Sequence, residues 1–290
     1  MQSINQVMID HSIRIAQQVK ADALLVCIDV MKDIAALPEE IKKAIGVIIV
    51  AREGEELPDD VRKYARKLDI PNVRLSRVGT IKIAIAKGII SGFFKKGDKI
   101  VCLSGVPRFG YADSIFVLDV GKEFEILTSD NINDIIESVR PEVFNAALNI
   151  ACEIAAQGRE YRKIGTIFVL GDEEKVLQLS RQMIINPFLG YTEDQRNLLN
   201  PELIETIKEF SAIDGAFVVK ENGAIITAGR HLSAAPDSRD FPAGLGSRHI
   251  AAAGITNVTK AVAIVISESS GNVSVFKNGK LFVTIEKPLE

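Results

Sequence analysis

Cysteine is scarce in this chain of 290 residues: Cys27, Cys102 and Cys152 are the whole supply. They are odd in number, far apart and without metal-ligand spacing, which excludes a disulfide framework and a thiolate zinc site and points to a reducing compartment. All three lie in apolar stretches and read as small buried hydrophobes rather than nucleophiles. Long apolar runs are also missing. The nearest, Ile81 to Phe94, is broken by Lys82, Lys87, Gly88 and Gly92, too short and too charged to span a bilayer. Asp10, His11 and Arg14 interrupt any apolar core of a secretory signal. Nor does charge of one sign dominate. The 35 basic and 38 acidic residues leave a net −3, which argues against a broad nucleic-acid or membrane-binding surface. There is no internal repeat, low-complexity tract or heptad run. The expectation is a soluble, cytoplasmic, globular protein with neither nucleic acid nor membrane as partner.

What is present is ordinary globular material, 47% hydrophobic and 25% charged. The length is comfortable for two domains. In the first half, helical spacing runs from Ile4 to Val19 and a compact apolar strand follows from Ala23 to Val30. Pro38 to Ala44 reads as helix, Gly46 to Val50 as strand, and Pro58-Asp59-Asp60 as a helix start with acids near its positive end. Val73 to Ser76 reads as a short strand and Thr80 to Phe94 as a long helix. Lys99 to Leu103, Ile115 to Val120 and Phe124 to Leu127 are further strands. Strands alternating with helices imply a largely parallel, three-layer α/β domain. Ser104, Gly105, Arg108 and Gly110 read either as an anion site at a strand's C-terminal end or as a tight loop, the plainer reading.

The join falls near Thr128-Ser129-Asp130, dividing the chain into residues 1–128 and 129–290. Helices are expected from Ile132 and from Pro141, then a strand at Ile164 to Leu170 and a helix at Leu203 to Phe210. A strand from Asp214 to Lys220 returns through Glu221-Asn222-Gly223, with Asn-Gly supplying positive-φ positions, into Ala224 to Ala228. Val262 to Ser267, Val273 to Lys277 and Leu281 to Ile285 complete a β-rich mixed-sheet α/β domain.

Two polar motifs stand out in that half. Asp214-Gly215-Ala216 joins a carboxylate to a glycine, which lets a ligand approach bare backbone. Gly246-Ser247-Arg248-His249 precedes the helix-prone Ile250-Ala251-Ala252-Ala253. It offers free N–H groups at the positive end of a helix with an arginine fork beside them, a phosphate cradle. A carboxylate for metal and a cradle for phosphate in one domain suggest nucleotide chemistry.

The first 127 or so residues resemble the C-terminal domain of pyruvate kinase, through Asp98-Lys99-Ile100-Val101-Cys102-Leu103-Ser104-Gly105-Val106-Pro107 and Ser114 to Leu118. The resemblance implies a regulatory domain. Residues from about 131 to 285 resemble the diadenylate cyclase domain, through Gly165 to Leu170, Asn186-Pro187-Phe188-Leu189-Gly190 and Ile213 to Ala216. Gly229-Arg230-His231-Leu232-Ser233, Gly246 to His249 and Ser267-Glu268-Ser269-Ser270-Gly271 then follow in the family's order. The pair of domains resembles the soluble archaeal type of diadenylate cyclase, a nucleotidyltransferase that condenses two ATP molecules into cyclic di-AMP and two pyrophosphates.

That resemblance implies a divalent metal, Mn2+ or Mg2+, and self-association of two cyclase domains for turnover. Asp214 becomes the metal ligand and activator of the 3′-hydroxyl, with Arg248 and His249 as further catalytic groups. Gly215, Ala216, Leu232 (through its backbone), Gly246, Ser247 and Arg248 become nucleotide contacts, and His249 and Glu268 join Asp214 at the metal. The family's motif commonly reads Arg-His-Arg, and Ile250 stands in its third place. Either Arg230 or Arg239 replaces that guanidinium or turnover is weak, leaving an ATP- or cyclic-dinucleotide-binding module as one alternative and a nucleotide hydrolase as another.

Overall fold

The computed structural model describes residues 3–30, 45–122, 138–158, 163–234 and 246–287. The chain divides into two compact units, Met1–Leu127 and Thr128–Glu290.

In the first unit, strands β1 (Ala23–Cys27), β2 (Gly46–Arg52), β3 (Ala65–Ile70), β4 (Lys99–Gly105) and β5 (Ala112–Asp119) form a sheet in the order β3-β2-β1-β4-β5. Every pair is parallel except β4–β5, so the largely parallel sheet read from the sequence is present. Central β1 is buried at all positions, which is why Ala23–Cys27 is a continuous apolar run rather than an alternating one. Helix α1 (Ile4–Gln18) begins at Ser3, whose hydroxyl accepts from the Gln6 N–H at 3.2 Å. Its buried Ile9, Ser12, Ile13 and Ala16 make one stripe, and the helix packs on β4, β5 and β1.

Two expectations for this unit need correction. Pro58-Asp59-Asp60 opens only a single helical turn, α2 (Asp59–Arg62). Val73 to Ser76 is not a strand. The Ser76 hydroxyl caps helix α3 (Arg77–Ile90) by accepting from the Gly79 N–H at 2.9 Å, and the Val73 carbonyl accepts from Arg52 Nη1. The strand is Ala65–Ile70 instead, an edge strand with charged residues among its apolar ones, a composition that hides strand character while protecting a sheet edge. The helix expected at Pro38 to Ala44, the strand at Phe124 to Leu127 and the helix from Ile132 lie outside the described residues. At the end of β4, Pro107–Phe109 form a 3-10 turn closed by Gly110 at φ 71°, and the Arg108 guanidinium lies over the Phe109 ring at 4.9 Å. That geometry is the tight loop rather than an anion cradle. Cys27 and Cys102 are fully buried, and burial pushes the Cys27 thiol up to about 12, so it is not a thiolate nucleophile.

The second unit is a seven-stranded mixed sheet. Its strands are β6 (Ile167–Leu170), β7 (Ser180–Gln182), β8 (Ala216–Val219), β9 (Ile225–Leu232), β10 (Val262–Ile266), β11 (Val273–Lys277) and β12 (Lys280–Ile285), in the order β12-β11-β10-β6-β8-β9-β7. Only β6–β8 is parallel among these pairs. Helix α4 (Pro141–Gln157) has proline in its first turn and packs on β10 and β11. Helix α5 (Glu173–Gln178) and helix α6 (Ile204–Phe210) precede β7 and β8. Helix α7 (Ser247–Val258) covers one sheet face, where Ala252, Ala253 and Ile255 meet Ile167, Val169, Ala216, Val218, Ala263 and Val265. These are alternate residues along three neighbouring strands, as a pleated sheet requires. The intervening Phe168 and Phe217 stack at 4.9 Å on the opposite face.

Two details differ from the sequence reading. Of Asn222-Gly223 only Gly223 takes a positive φ, 94°, while the Asn222 side chain accepts from the Ala224 N–H at 3.1 Å. Strand β9 continues past Ala228 to Leu232 because β7 pairs with its second half, Ser180 opposite Leu232 and Gln182 opposite Arg230. The Asp172-Glu173-Glu174 start of α5 carries the acidic first-turn signal that would have announced this excursion.

Candidate functional site

Four chain segments bring their ends together at one edge of the second sheet. Because β6 and β8 are parallel and β10 is antiparallel to β6, the starts of β6 and β8 lie beside the end of β10. Gly165 therefore precedes β6, Asp214 precedes β8 and Glu268 follows β10 on the same edge, and the first turn of α7 adds Ser247, Arg248 and His249.

Arg248 organises this edge. Its Nη2 donates to Asp214 Oδ1 at 3.1 Å and its Nη1 to Glu268 Oε2 at 2.9 Å. The arginine side chain is only 26% exposed, whereas Asp214 and Glu268 are 81% and 60% exposed. Its Nε is buried without a hydrogen-bond partner among the described residues, so one donor of the fork is uncommitted. A guanidinium held by two carboxylates is oriented without being consumed, since five donors serve two acceptors.

Two glycines make this closeness possible. A Cβ on Gly165 would stand 2.8 Å from Glu268 Cβ and 2.9 Å from Arg248 Nη1, so any side chain there would break the bridge. Gly215 has φ 115°, and a Cβ would lie 2.7 Å from the Gly229 carbonyl carbon. Its N–H donates to Asp214 Oδ1 at 3.1 Å and its carbonyl accepts from Thr166 Oγ1 at 3.2 Å. The aspartate is thus fixed by its own following peptide and by the neighbouring strand.

At the start of α7, the N–H groups of His249 and Ile250 donate to the Gly246 carbonyl at 3.0 and 3.2 Å. Those of Ser247 and Arg248 precede the first helical bond and have no backbone partner among the described residues. Gly246 caps the helix with no side-chain hydrogen bond, and open space surrounds the place its Cβ would take. A cleft of about 620 Å³ opens here, lined by Lys163, Gly246 to His249 and Ser267 to Ser269.

The expected residues fall into groups. Asp214, Arg248 and Glu268 form the bridged triad, and Gly246 and Ser247 shape the cradle. Ala216 is fully buried in β8 and the Leu232 side chain is in the core beneath α7, so neither side chain is open to a nucleotide. His249 is buried at 6% exposure with its ring edge-on to Phe276, centroids 5.9 Å apart. Burial lowers its pKa, so the ring is neutral near pH 7 and adds no positive charge to the cleft. Among the described residues no three of His, Cys, Asp and Glu gather into a metal site by themselves.

Arg230 is not a spare cation. Its Nε donates to Ser180 Oγ at 2.8 Å, and its Nη2 to the carbonyls of Leu177 and Ser180 at 2.9 and 2.6 Å. It holds α5 to β7. Arg239 lies outside the described residues. Ile250 is 41% exposed and so is not a core residue. Lys163, Ser267 and Ser269 are cleft residues that the motifs did not single out individually. For Lys163 the only available signal was its position just ahead of the β6 run.

Residues 153–281 match the family model described as DisA bacterial checkpoint controller nucleotide-binding, and residues 5–128 match one described as probable sensor domain DacZ_P. A diadenylate cyclase of Methanocaldococcus jannaschii is 31% identical over 298 residues, covering 96% of this chain and 95% of its own. A diadenylate cyclase of Haloferax volcanii is 33% identical over 208 residues, covering 71% and 74%. The crystal structure of DacA from Staphylococcus aureus, a double mutant, is 24% identical and covers 48% of this chain and 84% of its own, with a TM-score of 0.33. The second unit thus carries the nucleotide-binding domain of this class. The chain belongs to the diadenylate cyclase family. No described helix is long and apolar enough to cross a membrane.

Proposed function

We propose that the cleft at the Asp214–Arg248–Glu268 bridge is where this diadenylate cyclase condenses ATP. Two ATP molecules give one cyclic di-AMP and two pyrophosphates. In each half-reaction a 3′-hydroxyl oxygen bonds to the α-phosphorus of the other nucleotide, the α–β phosphoanhydride bond breaks, and the hydroxyl proton leaves. The observation that carries this reading is the Arg248 bridge, which places an oriented guanidinium between two exposed carboxylates at a helix N-terminus.

Each group then has a role. The N–H groups of Ser247 and Arg248 and the positive end of α7 receive phosphate oxygens. Arg248 steadies the charge that grows on the bridging oxygen, since phosphoryl transfer is governed by positioning and electrostatics. Asp214 faces the incoming 3′-hydroxyl as acceptor of its proton. Gly215 keeps the backbone bare where the nucleotide lies.

Asp214 and Glu268 supply carboxylate oxygens but no complete ligand set, and that donor set fits Mg2+ or Mn2+, which bind through one or two carboxylates plus substrate phosphates. Bound there, a divalent ion supplies charge neutralisation at the phosphates and favours the ionised 3′-hydroxyl. A cleft of this kind holds one ATP, so two cyclase domains facing each other complete the reaction. The buried thiols fit a cytoplasmic setting.

Incubating the purified protein with ATP and Mn2+ and resolving the products by mass tests this. Cyclic di-AMP supports it, ADP or AMP indicates a hydrolase, and unchanged ATP indicates a binding module.

A further inference from the structure

The charges around the cleft do not balance evenly. Arg248 is compensated by two carboxylates at 3.1 and 2.9 Å. His249 is buried with its ring against Phe276. Ile250 brings no charge, and Arg230 is committed to α5 and β7. Lys163 also lines the cleft and is exposed, and its recorded partner is a neutral group, the Ser269 carbonyl at 2.8 Å from Nζ. An ammonium has three donors, and among the described residues this bond commits one of them. Among the described residues lining the cleft, its positive charge is the one that no carboxylate offsets.

The sheet sets its position. The β6–β10 register pairs Ile167 with Val265, and the Ile266 N–H donates to the Thr166 carbonyl at 2.9 Å, carrying the pairing beyond β6. Three residues further out along each chain, Lys163 meets Ser269. Through the bridge, Asp214 lies on one flank of Arg248 and Glu268 on the other, with Ser269 and Lys163 beyond Glu268. Lys163 thus lines the same cleft as Arg248, on the Glu268 side of the bridge.

We propose that Lys163 binds the β- and γ-phosphates of ATP and then the departing pyrophosphate, acting as the phosphate-end cation of the cleft. This rests on the reading of the cleft as the ATP site. Lys163 is a point charge on a flexible stem, suited to a phosphate group that must be held and then released.

The test compares the parent with Lys163→Met and Lys163→Arg, binding ATP, AMP and inorganic pyrophosphate to the full chain by calorimetry with Mg2+ present. Lys163 is exposed, so both variants fold, with a melting temperature that confirms it. Lys163→Met is expected to weaken ATP and pyrophosphate about ten- to a hundredfold, while AMP changes less than about twofold. Lys163→Arg keeps most of the ATP affinity. Equal weakening of ATP and AMP would assign Lys163 to support of the Ser269 loop and overturn the proposal, as would unchanged ATP affinity. If the parent itself binds no ATP, the reading of the cleft fails first and this inference with it.

Discussion

Arg248 donates from the first turn of α7 to Asp214 Oδ1 at 3.1 Å, across 34 residues of sequence. The contact ties the candidate activating carboxylate to the candidate phosphate-holding guanidinium. Glu268 completes the tie from the other side at 2.9 Å. Both carboxylates are exposed and the arginine is mostly covered, so a phosphate entering the cleft meets a guanidinium already aimed.

Arg248→Ala removes that fork. ATP affinity and turnover both fall, by about tenfold or more in KM and further in kcat/KM, because the charge is used in the ground state and in the transition state. Steady-state kinetics with ATP checks this. A change confined to kcat would show that Arg248 does not hold the substrate.

Gly215→Ala forces a side chain into a φ of 115° and to within 2.7 Å of the Gly229 backbone. The expected cost is about 1–3 kcal/mol of stability, seen in chemical denaturation as a lower midpoint with an unchanged slope. Parent-like stability would mean that the Asp214 turn is looser than it looks.

Arg230→Ala separates structure from chemistry. Its guanidinium holds the Leu177 and Ser180 carbonyls, so truncation is expected to lose about 1.5–3 kcal/mol of stability with KM for ATP within about twofold of the parent at a temperature where the variant is folded. Ile250→Arg, at an exposed position, is expected to fold normally. A large KM increase in Arg230→Ala would return that residue to the triphosphate.

Burial lowers the His249 pKa below its ordinary 6.5. The unfolded chain then binds the proton more readily than the folded one, so this contribution to stability is fully present above about pH 6.5 and is lost as pH falls toward and through the folded pKa. Denaturation midpoints measured between about pH 5 and 7.5 should decline on the acid side, and His249→Gln should flatten that decline. Equal slopes in both proteins would place the imidazole in water.

Turnover should also rise more than linearly with protein concentration in the dilute range where paired cyclase domains separate. Strict proportionality from a protein shown to be monomeric would remove the need for a facing partner.

Much of the site was legible because its signals are local. A glycine after Asp214 and a Gly-Ser-Arg ahead of an alanine-rich helix announce a bare backbone and an uncapped N-terminus from a few residues each. The central strands were legible for the same reason, since β1, β6 and β10 are apolar throughout and continuously buried. The bridge was not legible, because which carboxylates meet Arg248 depends on the register of β6, β8 and β10 rather than on spacing. Lys163 was missed on the same account, since only that register sets it opposite Ser269. Edge elements failed differently. β3 is charged and β7 is three residues long, so neither carries an apolar period, and Val73–Ser76 looked strand-like only because its cap and its arginine contact lie elsewhere in the chain.

The most direct measurement pairs turnover with binding in Asp214→Asn, which keeps the size of the side chain and removes its charge. Cyclic di-AMP formation is followed by mass and ATP affinity by calorimetry on the same preparation. The account predicts turnover reduced at least about a hundredfold, or roughly 2.7 kcal/mol of transition-state stabilisation, with ATP affinity within about threefold of the parent. Parent-like cyclic di-AMP formation by Asp214→Asn would contradict it and move the reaction away from this cleft.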